Sequence, residues 1–176
     1  MKLSILYVSV TGNTKQVAEY IRDGMLRYTP SAEIRLFDLT EPLDDSFITD
    51  SAAVVFGTPT YCASMAWQMK KWFDEYWKVD LSNKIGAVYA TANVASGGVD
   101  TAIMSVVNHL MVKGMLVYSG GVSEGSPFIH LGVVAFRGKI EESKDMAEIY
   151  GYRIAKKADT IIERSHISEE KFQWKK

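Results

Sequence analysis

The sequence predicts an α/β fold, a parallel sheet covered by helices on both faces. Short continuous apolar runs rich in β-branched residues recur along the chain, which is how strands buried on both faces read. Between them lie stretches with apolar residues three and four positions apart, the mark of a helix with one buried face. The two kinds of segment alternate, and such units join parallel neighbours through right-handed crossovers.

The first strand is the run Leu3-Ser4-Ile5-Leu6-Tyr7-Val8-Ser9, bounded by Thr11-Gly12-Asn13-Thr14. Val17, Ala18, Ile21 and Met25 then share one helical face, with Lys15, Glu19, Arg22 and Asp23 opposite, and Pro30 closes that unit. Residues 33–38 form a second, shorter strand. A polar connection with Pro42, Asp44, Asp45 and Asp50 leads to the third strand, 52–57. Met65, Met69, Trp72, Phe73 and Tyr76 mark the next helix, and 85–90 is a fourth strand. Ile103, Val106, Val107, Leu110 and Met111 mark another helix, which Gly114 ends. Residues 115–118 are a short fifth strand, and after a loop of Gly, Ser and Pro, 130–136 reads as strand again. The last helix carries Met146, Tyr150, Ile154, Ala158, Ile161 and Ile162 on one face. The stripes of Met and aromatic residues are assigned to the core. Residues 1–165 are expected to be one domain and 166–176 a loosely held charged tail.

Composition excludes several classes of function. With 47% hydrophobic and 23% charged residues, the chain has a full core and is not disordered. Twenty Lys+Arg against 21 Asp+Glu leave a net charge of −1, without the basic excess of a nucleic-acid binder. One cysteine and three scattered histidines give no internal disulfide and no zinc-ligand spacing. No apolar run approaches the ~18 residues of a membrane span, and the first one has no signal-peptide pattern. A cytoplasmic protein is expected.

In open α/β sheets, ligands bind beyond the carboxyl ends of the strands. Three loops occupy that edge here. Ser9-Val10-Thr11-Gly12-Asn13-Thr14 brings three hydroxyls, an amide and a glycine to a helix N-terminus, where free N–H groups and the helix dipole favour an anion. It lacks the Gly-Lys-Ser/Thr ending of a nucleoside triphosphate loop and the glycine pattern of a dinucleotide site. Thr11 or Asn13 acting simply as a helix cap accounts for the same residues. In the second loop, Gly57-Thr58-Pro59-Thr60-Tyr61-Cys62-Ala63-Ser64-Met65, the hydroxyls of Thr58 and Thr60 and the ring of Tyr61 are placed to meet a flat ligand. In the third, Thr91-Ala92-Asn93-Val94-Ala95-Ser96-Gly97-Gly98, two glycines allow close backbone approach.

Together the loops resemble the flavodoxin family. Residues 9–15 are similar to its phosphate loop, 57–61 to its first flavin-ring loop, and 91–98 fall where its second ring loop lies. The resemblance implies a three-layer fold with a five-stranded parallel sheet in the order 2-1-3-4-5. It also implies non-covalent FMN held by Ser9, Thr11, Gly12, Asn13, Thr14, Thr58, Pro59, Thr60, Tyr61, Thr91, Ala92, Asn93, Ser96, Gly97 and Gly98. FAD is disfavoured, because there is no second mononucleotide unit for an adenosine half. No arginine is present in the phosphate loop, and hydroxyls and amides suffice for an anion there.

The second loop, leading to Met65 and Met69, resembles that of flavodoxin-like NAD(P)H:quinone oxidoreductases and flavin reductases. Ala63 and Trp67 stand where those enzymes commonly have glycine, with Trp67 placed to crowd the flavin face, and Gly97-Gly98-Val99-Asp100 replaces their Gly-Gly-Gln-Glu run. Two functions follow from the resemblance. One is an oxidoreductase passing electrons from NAD(P)H to a quinone; the other is an electron carrier docking with redox proteins. Carriers resemble acidic proteins that steer docking by charge, so a net charge of −1 favours the enzyme. A mobile loop over residues 119–129 is expected to leave the flavin face open to alternating substrates. Homo-oligomerisation is left open.

Gly121-Val122-Ser123-Glu124-Gly125 matches a hydrolase nucleophile elbow, but that motif needs a helix after it, and Pro127 and a strand pattern follow. Cys62 has no His or Lys nearby in sequence to activate it. His130 is placed either to approach a ligand or merely to pack. His109 and His166 carry no expected role.

Overall fold

The computed structural model describes residues 1–165. The charged tail predicted for 166–176, with His166, lies outside them. The elements are β1 (Lys2–Tyr7), α1 (Asn13–Tyr28), β2 (Glu33–Asp38), α2 (Asp45–Asp50), β3 (Ala53–Pro59), α3 (Trp67–Glu75), β4 (Ile85–Ala92), α4 (Val99–Val112), β5 (Leu116–Val117), β6 (Val133–Phe136) and α5 (Lys144–Ser165).

All strand pairs are parallel, in the order β2-β1-β3-β4, with both β5 and β6 on the free side of β4. Alternation along each strand divides the core in two. Leu3, Ile5, Val55 and Ala87 pack with Val17, Ile21, Tyr150 and Ile154 of α1 and α5. Leu6, Val54, Phe56 and Val88 pack with Met69, Phe73, Ile103 and Leu110 of α3 and α4. The result is a helix–sheet–helix sandwich, the flavodoxin-like architecture that the sequence predicts. α4 closes as its glycine end implies: the Gly114 N–H donates to the Met111 carbonyl and the Met115 N–H to that of Leu110, both at 3.0 Å.

Two features differ from the sequence reading. The connection before β3 contains the one-turn helix α2, whose first turn is capped by the Asp44 carboxylate accepting from the Phe47 N–H at 3.0 Å. The fifth place in the sheet is also shared. β5 pairs only with Ile85 and Gly86, whereas β6 pairs with residues 89–92. Val88 lies beside the gap, and the buried Tyr150 hydroxyl stands in for the missing strand. It accepts from the Val88 N–H at 3.2 Å and donates to the Val88 carbonyl at 3.0 Å.

In the intervening segment, where the sequence reading expects a mobile loop over 119–129, the backbone of residues 120–127 is held by a buried side chain of α5. Arg153, only 7% exposed, donates to the carbonyls of Gly120, Glu124, Gly125, Ser126 and Pro127 at 3.0–3.4 Å. A buried cation requires compensating oxygens, and this stretch of backbone supplies them. Among the described residues no helix is long and apolar enough to cross a membrane.

Candidate functional site

At the carboxyl end of β1 the chain turns into α1 through Gly12, the N-cap residue, with no side chain bonded as a cap at that position. Thr11 and Asn13 therefore do not account for themselves as helix caps. The first turn is supported from further back, by Ser9 Oγ accepting from the Lys15 N–H at 3.2 Å. Thr14 is buried, and its hydroxyl meets that of Thr91 at 2.9 Å. One hydroxyl donates to the other, and the acceptor keeps its own proton for a third group. Tyr89 supports the same turn, donating its buried hydroxyl to the Thr14 carbonyl at 2.9 Å; burial pushes that phenol well above its ordinary pKa. The first and third loops are thus joined below the site.

Two threonines, Thr58 near the end of β3 and Thr60 just beyond it, have different roles. Thr58 is fully buried, and its hydroxyl donates to the Pro59 carbonyl and accepts from the Ala66 N–H, each at 2.9 Å. That hydroxyl is engaged within the fold and is not offered to a ligand. Thr60 donates its N–H to the Thr91 carbonyl at 2.7 Å, while its buried hydroxyl has no hydrogen-bond partner. Beyond it Tyr61 and Ser64 exchange backbone hydrogen bonds at 3.0 and 2.9 Å. The residues between them, Cys62 and Ala63, both lie in the left-handed region, at φ 50° and 57°, as a type I′ turn requires. Gly98 faces this turn at φ 79°; a Cβ there would lie 2.4 Å from the Cβ of Ala63. The second and third loops therefore touch where only glycine fits.

A cavity of about 140 Å³ opens between the three loops, lined by Val10, Thr11, Asn13, Thr14, Pro59, Thr60, Tyr61, Thr91, Ala92, Asn93 and Arg137. Thr11, Asn13, Thr14, Pro59, Thr60, Tyr61, Thr91, Ala92 and Asn93 are all sequence-predicted site residues, and the fold brings them together. Ser9, Gly12, Thr58, Ser96, Gly97 and Gly98 lie outside the lining and shape its walls or flank it. Sequence reasoning missed two lining residues, Val10, an apolar member of the first loop, and Arg137. Arg137 follows β6, and its N–H donates to the Ala92 carbonyl at 2.9 Å, so the strand beside β4 delivers it to the rim.

Other candidates lie elsewhere. Trp67, 66% exposed, lines a separate groove of about 480 Å³ between α3 and residues 39–43, so it does not crowd this cavity. His130 lines another hollow with Asp100 and Met146. Cys62 is exposed. Ser123 sits in a single 3₁₀ turn, Val122–Glu124, rather than at a strand-to-helix junction, so no nucleophile elbow forms. Among the described residues no cluster of His, Cys, Asp or Glu is arranged to hold a metal.

The cavity fits the phosphate end of FMN. Its lining offers hydroxyls, two amides and an arginine, with no carboxylate to repel an anion. It lies at the N-terminus of a 16-residue helix. The unpartnered Thr60 hydroxyl is a buried polar group that a ligand would satisfy. Tyr61, 44% exposed at the mouth, offers an aromatic face.

Comparison with known proteins agrees with this geometry. Residues 4–116 match the family described as the flavodoxin domain. A flavodoxin of Clostridium saccharobutylicum is 47% identical over 92% of this chain and all of its own length. An NAD(P)H dehydrogenase (quinone) of Gluconacetobacter diazotrophicus is 28% identical over 66% of this chain and 69% of its own. The crystal structure of a flavodoxin, WrbA-like protein from Agrobacterium tumefaciens superposes with a TM-score of 0.74, covering 90% of this chain and 98% of that one at 22% identity. The chain belongs to the flavodoxin family, whose non-covalent cofactor is FMN.

Proposed function

We propose that the protein is a flavodoxin-type electron carrier that passes electrons between redox proteins. The observation that carries this reading is the 47% identity to the Clostridium saccharobutylicum flavodoxin over that protein's full length. In this reading Thr11, Asn13 and Thr14 receive the FMN phosphate at the start of α1, with Ser9 and Gly12 shaping the turn. Thr60 turns its hydroxyl to the cofactor. The flavin ring rests between the loop of Thr58, Pro59 and Tyr61 and the loop of Thr91, Ala92, Asn93, Ser96, Gly97 and Gly98. Bound FMN supplies the redox chemistry; the chain supplies binding, orientation and electrostatics.

A second reading is an enzyme reducing quinones with NAD(P)H. It is supported by the Gluconacetobacter diazotrophicus relative and by the pattern of residues 57–69. Anaerobic mixing of the FMN-loaded protein with excess NADH or NADPH separates the two. A carrier leaves the flavin oxidised for minutes, accepts electrons from a flavodoxin reductase, and titrates in two well-separated one-electron steps. Direct bleaching by a nicotinamide within seconds, with turnover on a quinone, would establish the enzyme instead.

A further inference from the structure

We propose that Arg137 is the cationic partner of the FMN phosphate, delivered to the phosphate loop from the end of β6; the proposal rests on the FMN reading above. The one cation of the phosphate loop, Lys15, does not line the cavity. The loop meets the anion with hydroxyls, an amide and the positive end of α1. Arg137 lines the same cavity as Thr11, Asn13 and Thr14, and it is the one charged residue in that lining.

Its placement is built rather than incidental. β6 pairs with the end of β4, and the Arg137 N–H fastens to the Ala92 carbonyl one residue past Thr91. The chain then reverses at once. The Lys139 N–H donates to the Phe136 carbonyl at 2.9 Å, and Gly138 occupies φ 78°, a conformation that disfavours residues with a Cβ. Arg137 therefore projects from the corner of a tight turn seated against the third loop. Among the described residues its guanidinium has neither an ion pair nor a side-chain hydrogen bond, whereas Arg22, Arg27, Arg35 and Arg153 are all engaged. A planar fork of donors suits phosphate oxygens two at a time.

The test is the affinity of wild type and Arg137→Met for FMN and for riboflavin, which lacks the phosphate, measured by quenching of flavin fluorescence at low and at moderate salt. Loss of a hydrogen-bonded charge partner lowers FMN affinity about ten- to a hundredfold. Riboflavin affinity should change by less than about twofold, a tolerance small beside the expected tenfold loss. Salt should weaken FMN binding to the wild type more steeply than to the variant, because screening acts on the pair that the variant lacks. Unchanged FMN affinity, or equal losses for both ligands, overturns the role of Arg137 and leaves FMN binding standing. A wild type that binds neither ligand overturns the FMN reading itself.

Discussion

Replacing Gly98 by alanine tests whether the two ring loops hold one another in place. Gly98 sits at φ 79°, ψ 34°. An added Cβ would come within 2.4 Å of the Ala63 Cβ and 2.9 Å of its Cα. The left-handed conformation costs an L-residue about 1–2 kcal/mol, and the overlap adds about 1–3 kcal/mol of overpacking. Gly98→Ala should therefore destabilise the apoprotein by about 2–5 kcal/mol. Ala63 is itself left-handed, at φ 57°. Ala63→Gly relieves that strain but frees the unfolded chain, so alone it shifts stability by about 1 kcal/mol or less. In the double variant the closest clashing atom is gone but the backbone Cα at 2.9 Å remains, so Gly98→Ala costs its backbone part, about 1–2 kcal/mol, plus a reduced overlap. The coupling energy is the overlap relieved, about 1–2 kcal/mol in the rescuing direction. Urea unfolding of all four proteins with a shared m-value measures it. Additivity within about 0.5 kcal/mol would refute the contact between the loops.

Thr60→Val should separate stability from function. It removes a buried hydroxyl without a partner, so the apoprotein gains about 1 kcal/mol in thermal or urea unfolding, while FMN affinity falls. Arg153→Met should release residues 120–127, with a loss of at least about 2 kcal/mol because charge-assisted hydrogen bonds go with it. Limited proteolysis should then cut within that segment faster than in the wild type. Asp44 gives a pH signature. Hydrogen bonds from the Phe47 N–H and the Ser46 hydroxyl hold its carboxyl below the usual aspartate range. A group depressed in the folded state stabilises above its unfolded pKa of about 3.9 and loses that contribution as pH falls through the lower folded value. Asp44→Ala should be less stable than wild type at pH 7, and urea midpoints should converge as pH falls below about 4.

The alternation of strand and helix was legible because each signal is local. Runs such as 3–9 and 52–57 are apolar on both faces, and Met69, Trp72 and Phe73 recur at helical spacing. α2 was not, because six residues are too few to display a period. Its marker, Asp44 three residues before Phe47, is visible only as a cap. The split of the fifth strand was half legible. Two apolar stretches were present, but their sharing of one edge depends on Tyr150, a core residue by its spacing, whose hydroxyl serves β4. The first two site loops were legible as clusters of hydroxyls at strand ends. Arg137 was not, since only the β4–β6 register brings it to Thr11 and Asn13. Arg153 likewise has the sequence context of an ordinary helical residue. Its carbonyl partners belong to the backbone, and the side chains of the anchored segment do not encode them.

Net charge is a poor guide to whether this protein docks with redox partners, because docking responds to the local field at the cofactor edge. At physiological salt that field extends only about 8 Å. Part of the formal charge here cancels locally, Lys70 against Asp74, Lys71 against Glu75 and Lys2 against Asp50. Exposed pairs of that kind contribute little to stability and little to the field a partner meets. On the flank that follows β2, by contrast, Asp38, Glu41 and Asp45 have no ion-pair partner within 4.0 Å among the described residues. Asp38 ends β2 at the carboxyl edge of the sheet and Glu41 lies in the loop just beyond it, whereas the Asp45 carboxylate accepts a hydrogen bond from the Tyr76 hydroxyl beyond the end of α3. The net charge of −1 is therefore no measure of the local field around the site, and the near-balance of the composition does not by itself count against a carrier.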